Sequence, residues 1–191
     1  MNDAYLPLLA DFEFTEEESA IIAAALKTRD PWNYTPPNKK GNEALKSAKN
    51  RIRDYHLKRH SGTCCYCRMD LKNAGPYIID REHVLPKSNK IYRALSYTMW
   101  NLAASCKRCN MQFKKASDKF VVEKDDTEKL KCSGNYLLIH PNFDRWENHL
   151  SRISVQINAS SIVTFTCTAG SHKGSYTKEF FHLHNYMIDT F

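Results

Sequence analysis

Apolar positions recur at helical spacing in two stretches near the start of the chain and alternate in two stretches near its end. Between them the pattern becomes short-ranged. Ile21, Ile22, Ala25 and Leu26 form one apolar face behind Thr15-Glu16-Glu17-Glu18. That tetrapeptide has the form of a capping box, in which Thr15 and Glu18 satisfy each other's orphan amides, and its acidic turn complements the helix dipole. The pattern stops before Asp30-Pro31, and residues 32–41, with Pro36-Pro37 and Lys39-Lys40, read as an extended linker. A second helix is predicted over residues 42–60. Leu45, Ala48, Ile52 and Tyr55 supply its buried face, basic residues fill the rest, and Gly62 acts as a stop.

Beyond Gly62 the pattern predicts a Cys knuckle, a strand over 77–80 running on towards Val84, and a loop from Pro86. A second short strand or turn follows near 100–104, then a helix from about Lys107. Residues 121–134 are charged and turn-like. Residues 152–158 and 161–168 alternate as a hairpin, with Ile153, Val155 and Ile157 on one face and Ile162 leading the return strand. A final helix is predicted over 176–188, carrying Phe180, Phe181, Leu183 and Tyr186. The chain thus divides into a helical arm with a Pro-rich linker (1–60), a central core (61–120) and a C-terminal hairpin and helix extension (121–191).

Charge changes this picture. The 191 residues carry +7 overall, but residues 1–30 hold −5, residues 31–120 hold +13, and the last 71 are close to neutral. A basic centre between acidic and neutral flanks is expected of a polyanion-binding surface, because phosphate neutralisation supplies most non-specific nucleic-acid affinity. The alternative is a solvated basic face. With 42% hydrophobic and 26% charged residues the composition suits a folded domain. No apolar run reaches the roughly 20 residues of a membrane span, and no signal peptide opens the chain, so a soluble, cytoplasmic protein without membrane partners is expected.

The seven cysteines sharpen the reading. Cys64-x2-Cys67 and Cys106-x2-Cys109, 38 residues apart, place four thiolates in the pairing that tetrahedral zinc uses. Cys65 would leave a one-residue gap and is read as a bystander; Cys132 and Cys167 stand alone. Four sulfurs close the shell, so this zinc is expected to be structural and chemistry must come from elsewhere. The alternative is four free core cysteines.

Between the knuckles lies Asp80-Arg81-Glu82-His83-Val84-Leu85-Pro86-Lys87-Ser88, followed by Trp100-Asn101-Leu102 and by Cys109-Asn110 with Lys114 beyond. In this order, over residues 60–120, the chain resembles the HNH nuclease family. The resemblance implies an α+β fold: a zinc-stabilised ββα-metal, treble-clef-like core with an N-terminal helical arm and a C-terminal hairpin plus helix. It also implies a metal-dependent endonuclease hydrolysing phosphodiesters, with double-stranded DNA the expected substrate. His83 suits a general base because imidazole titrates near neutrality, and a hard ion, Mg2+ or Mn2+, suits charge neutralisation at the leaving oxygen. The resemblance makes Glu82 and Asn110 the ligands of that single ion and Asn101 the residue that ties the loop so that His83 meets the scissile phosphate. Cleavage would leave a 5′-phosphate and a 3′-hydroxyl. Two departures stand out: Glu82 is one methylene longer than the usual Asp, leaving Asp80 as a rival ligand, and Asn110 stands where His is common. The other seven histidines have no such frame.

Arg81, Lys87, Arg93, Arg108, Lys114 and Lys115 crowd the proposed site and are expected to meet phosphates, which positions a duplex without reading its bases. Ile139-His140-Pro141-Asn142-Phe143-Asp144 resembles a segment that follows the nuclease motif in HNH proteins of bacterial anti-phage systems, the Septu-type subunit in particular. That implies an ATPase partner and a defence role; the alternative is a simple Pro turn. Against the nuclease stand a zinc-dependent nucleic-acid-binding module with a vestigial Glu-His and a partner-activated subunit inactive alone.

Overall fold

The structure, a computed structural model, describes residues 3–72, 74–75, 77–158 and 160–186. Helix α1 (Glu16–Leu26) begins on the capping box: the Glu18 amide donates to Thr15 Oγ1 at 3.2 Å and the Thr15 amide to Glu18 Oε2 at 3.1 Å. Helix α2 (Lys39–Arg59) starts three residues earlier than its apolar pattern, because Asn38 caps the amide of Gly41 at 2.8 Å and draws Lys39-Lys40 into the first turn. Gly41 allows this entry: a Cβ there would stand 2.8 Å from Pro36 Cβ and 3.1 Å from Ile21 of α1. The helix ends at Arg59, and the chain leaves it through Ser61 and Gly62, both left-handed at φ +53° and +73°, with the Gly62 amide donating to the Leu57 carbonyl at 2.7 Å. Glu18 is buried and ties the two helices together by accepting from Ser47 and pairing with Arg51.

Strands β1 (Ile79–His83) and β2 (Leu102–Cys106) pair antiparallel, with Ile79 opposite Cys106, Glu82 opposite Ala103 and His83 opposite Leu102. A seven-residue π-helix (Arg108–Lys114) follows directly, its last bond running from the Lys115 amide to the Asn110 carbonyl at 2.7 Å. No residue pattern over 107–115 marks π rather than α geometry. One core, of Ile22, Ala25, Leu45, Ala48, Ile52, Trp32, Tyr97 and Leu102, joins α1 and α2 to β2. A second holds the cysteines, Tyr66, Val84, Leu85 and Ala103 together with Phe143, Trp146, Phe165 and Phe181. β2 therefore carries both cores, and the N-terminal helices and C-terminal extension pack against the central segment on either side.

The hairpin is β3 (Leu150–Ile157) with β4 (Ser160–Cys167). Its buried face is Leu150, Val163 and Phe165; Ile153, Val155, Ile157 and Ile162 share the exposed face. Helix α3 (His172–Phe180) starts four residues before its prediction, on a Ser171 cap, and stops where His182 takes a φ of +47°, with a 3-10 turn over Leu183–Tyr186. Residue 188, the predicted end, lies outside the described residues. Ile139–Asp144 is a buried clamp: the Asn142 amide donates to the Trp100 and Leu102 carbonyls at 2.9 and 2.8 Å, and Asp144 accepts from the His140 amide and Lys173. Among the described residues no helix is long and apolar enough to cross a membrane.

Candidate metal centre and catalytic cleft

Cys64, Cys67, Cys106 and Cys109 converge from the loop after α2, the end of β2 and the start of the π-helix, all buried, with their sulfurs within 4.8 Å of one another. The Cys67 and Cys106 sulfurs are 3.8 Å apart. Four sulfurs bound to zinc at about 2.3 Å span tetrahedron edges of about 3.8 Å, whereas a disulfide closes to about 2.05 Å. The group can therefore hold a metal ion, and its all-sulfur donor set suits zinc. Backbone amides already support thiolates here: the Cys106 amide donates to Cys64 Sγ and the Cys109 amide to Cys106 Sγ. Cys65 is buried but outside the group, and its amide fastens the knuckle to the Ala104 carbonyl of β2.

Alternation along β1 places Asp80 and Glu82 on one face and Arg81 and His83 on the other. His83 lines a cavity of about 290 Å³ together with Arg81, Lys87, Asn110, Lys114 and Lys115. Its Nε2 lies 3.0 Å from the Ser96 carbonyl, which can only accept, so Nε2 bears the hydrogen and Nδ1 the lone pair. The edge of Trp32, 4.4 Å between centroids, fixes the ring plane. Burial, reinforced by the charges of Lys87, Lys114 and Lys49, pushes His83 down to about 3, so the resting imidazole is neutral. Asn101 holds the intervening loop from both sides: its Oδ1 accepts the Leu85 amide at 2.7 Å, and its Nδ2 donates to the carbonyls of Leu85 and Leu95.

Glu82 does not share this cavity. Fully buried, it pairs with Lys114 at 3.0 Å and accepts from the Tyr66 hydroxyl at 3.1 Å, leaving Oε2 without a partner. Burial holds its carboxyl above the ordinary range in spite of Lys114. Both contacts fall on Oε1, so the ammonium takes up one oxygen of Glu82 while the other stays buried and unpaired. The rival carboxylate is better placed for Asn110: the Asn110 side-chain amide lies 3.3 Å from Asp80 Oδ2, with Lys107 at 3.8 Å from the other oxygen. Since amide O and N are assigned from their surroundings, a flipped Asn110 would offer its oxygen beside that carboxylate. One carboxylate and one amide oxygen fit Mg2+, which keeps several waters. Among the described residues, Cys64, Cys67, Cys106 and Cys109 are the one group of three or more metal-ligating side chains close enough to share an ion.

The expected phosphate contacts divide. Lys87 and Lys115 reach the cavity with exposed or half-buried side chains. Arg81 also faces it but is anchored on α2, donating to the Lys49 carbonyl and Asn50. Lys114 is turned inward onto Glu82, where its ammonium offsets part of the cost of that buried carboxylate. Arg108 donates instead to the carbonyls of Phe181 and His182 and lies over Phe113, so it secures the C-terminal turn. Ser96 and Trp32, which set the tautomer and plane of His83, went unnoticed in the sequence; a backbone carbonyl carries no residue signature, and Trp32 sits 51 positions away in the predicted linker. Comparison with family models, with curated proteins and with solved structures gives no match for this chain.

Proposed function

We propose that this chain is a zinc-stabilised, metal-dependent endonuclease of the HNH kind that hydrolyses phosphodiester bonds in double-stranded DNA. The observation that carries the reading is His83: a neutral imidazole with Nε2 locked on a carbonyl and its lone pair left on Nδ1, set in a cavity rimmed by cations. His83 Nδ1 takes the proton of the attacking water. Lys87, Lys115 and Arg81 hold the phosphate, and Asn101 and Ser96 keep the base in place. A phosphate entering the cavity would offset the repulsion from Lys87, Lys114 and Lys49, while burial, the first cause of the depression, keeps the imidazole neutral and its Nδ1 lone pair free. Zinc on the four cysteines is structural. Mg2+ or Mn2+, held by Asn110 where it lines the cavity and by Asp80 3.3 Å from it on the other face of β1, would supply charge neutralisation at the leaving oxygen.

The ion pair between Glu82 and Lys114 favours a second reading, a zinc-dependent nucleic-acid-binding module in which Glu82 is structural and no catalytic ion binds. Plasmid cleavage with Mg2+ or Mn2+ by Asp80→Ala, Asn110→Ala and Glu82→Gln separates the two. The nuclease reading expects the first two to lose metal-dependent cleavage. If only Glu82→Gln loses it while remaining folded, Glu82 and not Asp80 holds the ion. If none changes the rate, no ion acts at this cleft.

A further inference from the structure

A second basic cavity, of about 690 Å³, shares no lining residue with the first. It opens between the end of α2, the Cys knuckle and the segment entering β3. Lys58, Arg68, Arg145 and Arg152 line it, and Glu147 is its carboxylate. Arg59 is present as well but is spent: it pairs with Asp3 and donates to the carbonyls of Tyr5 and Pro7. His60 is neutral, held well below its ordinary value chiefly by burial, and its Nε2 donates to the Pro141 carbonyl.

Arg68 distinguishes this place from a solvated basic face. Its side chain is only 10% exposed and its guanidinium lies over the rings of Tyr5 and Trp146, at 5.4 and 5.3 Å. Nη2 reaches the Tyr5 hydroxyl and, at 3.5 Å, the largely solvated Glu147; Nε and Nη1 are buried with no acceptor. Around it, Lys58, Arg145 and Arg152 form no ion pair with any described carboxylate. A buried cation so weakly compensated is costly, and the field of four cations against one exposed carboxylate falls into the cavity. The backbone is also committed to this arrangement, since Arg68 takes a φ of +54°, disfavoured for any residue but glycine.

We infer that this cavity is a phosphate-binding site, with Arg68, Arg145, Arg152 and Lys58 as its cations. Guanidinium forks match phosphate oxygens in pairs, and the volume suits a small ligand or a stretch of backbone. The aromatic walls are covered by Arg68 and buried, so the site offers charge without base stacking and reads phosphate, not sequence. The phosphate comes either from a nucleic-acid backbone crossing this face or from a free phosphate compound. The inference does not depend on whether His83 cleaves anything.

The test uses the zinc-loaded full chain in Mg2+-free buffer, with two probes: a fluorescein-labelled 20-base-pair duplex titrated by anisotropy at several KCl concentrations, and inorganic pyrophosphate titrated by calorimetry. The variants are Arg145→Gln/Arg152→Gln, whose side chains are exposed or half-buried, and Arg68→Gln. If the phosphate belongs to a backbone, the double variant weakens duplex binding by about tenfold or more and lowers the salt slope by about two. If it belongs to a free compound, the double variant loses pyrophosphate binding and leaves duplex binding unchanged. Should the double variant keep its zinc and its melting temperature and bind both probes like the parent, the inference is overturned, whatever becomes of Arg68→Gln.

Discussion

Replacing Lys114 by Met removes an ammonium that lies 3.0 Å from Glu82, where neither side chain is more than 2% exposed. The Met fills most of the stem's volume, so the change is chiefly one of charge. Left without its cation, the Glu82 carboxyl takes up a proton, keeping the Tyr66 hydroxyl as its partner. Protonating a carboxyl of ordinary value 4.5 costs about 3.4 kcal/mol at pH 7 and about 2 kcal/mol at pH 6. The first figure falls within the about 3–5 kcal/mol typical of breaking a buried pair. The loss of stability should therefore shrink as pH falls. Adding Glu82→Gln should recover most of it, because a buried pair replaced on both sides is close to neutral. Urea unfolding of the zinc-loaded parent, both single variants and the double variant at pH 7 and pH 6 measures each quantity. A Lys114→Met cost below about 1 kcal/mol at both values, or a double variant that loses the sum of the singles, would show that the two side chains do not depend on each other.

Elemental analysis should find one zinc per chain, lost on serine substitution of any of Cys64, Cys67, Cys106 or Cys109 and kept in Cys132→Ser and Cys167→Ser. Removing the metal should unfold the central core, as followed by circular dichroism. Acid should also destabilise the chain. His56 and His83 are held down to about 3, and His60 and His140 well below 6.5, in each case first by burial, so the unfolded chain binds more protons. Their stabilising contribution is complete above pH 6.5 and is lost as pH falls below it, at about 1.4 kcal/mol per pH unit for each imidazole. Thermal melts should fall steeply between pH 6.5 and 5; a flat profile would mean that these rings are not kept neutral.

Much of this architecture could be read before any coordinates. The Thr15 capping box, the paired cysteine spacing and the alternating hairpin are local signals, and each formed where its chemistry required. The opposed faces of Glu82 and His83 were also within reach, since a strand over residues 79–83 turns alternate side chains apart. The partners that decide their roles were not. Lys114 meets Glu82 from 32 positions away through a π-helix that no residue pattern marks, where its place in the sequence suggests a phosphate contact. Arg108, equally basic and near in sequence, is bound up with carbonyls of the C-terminal segment. Nothing in its sequence neighbourhood marks Arg68, because only tertiary packing places it between Tyr5 and Trp146.

The central claim is that His83 is a general base at a nuclease cleft. Its most direct test is the single-turnover cleavage rate of supercoiled plasmid by the parent and by His83→Ala, in Mg2+ or Mn2+, at matched zinc content and DNA affinity. Loss of the proton acceptor should lower the rate by about 10²–10⁴-fold while binding is unchanged. A His83→Ala chain that cuts as fast as an active parent, or a parent that binds the plasmid and cuts nothing with either ion, would contradict the account.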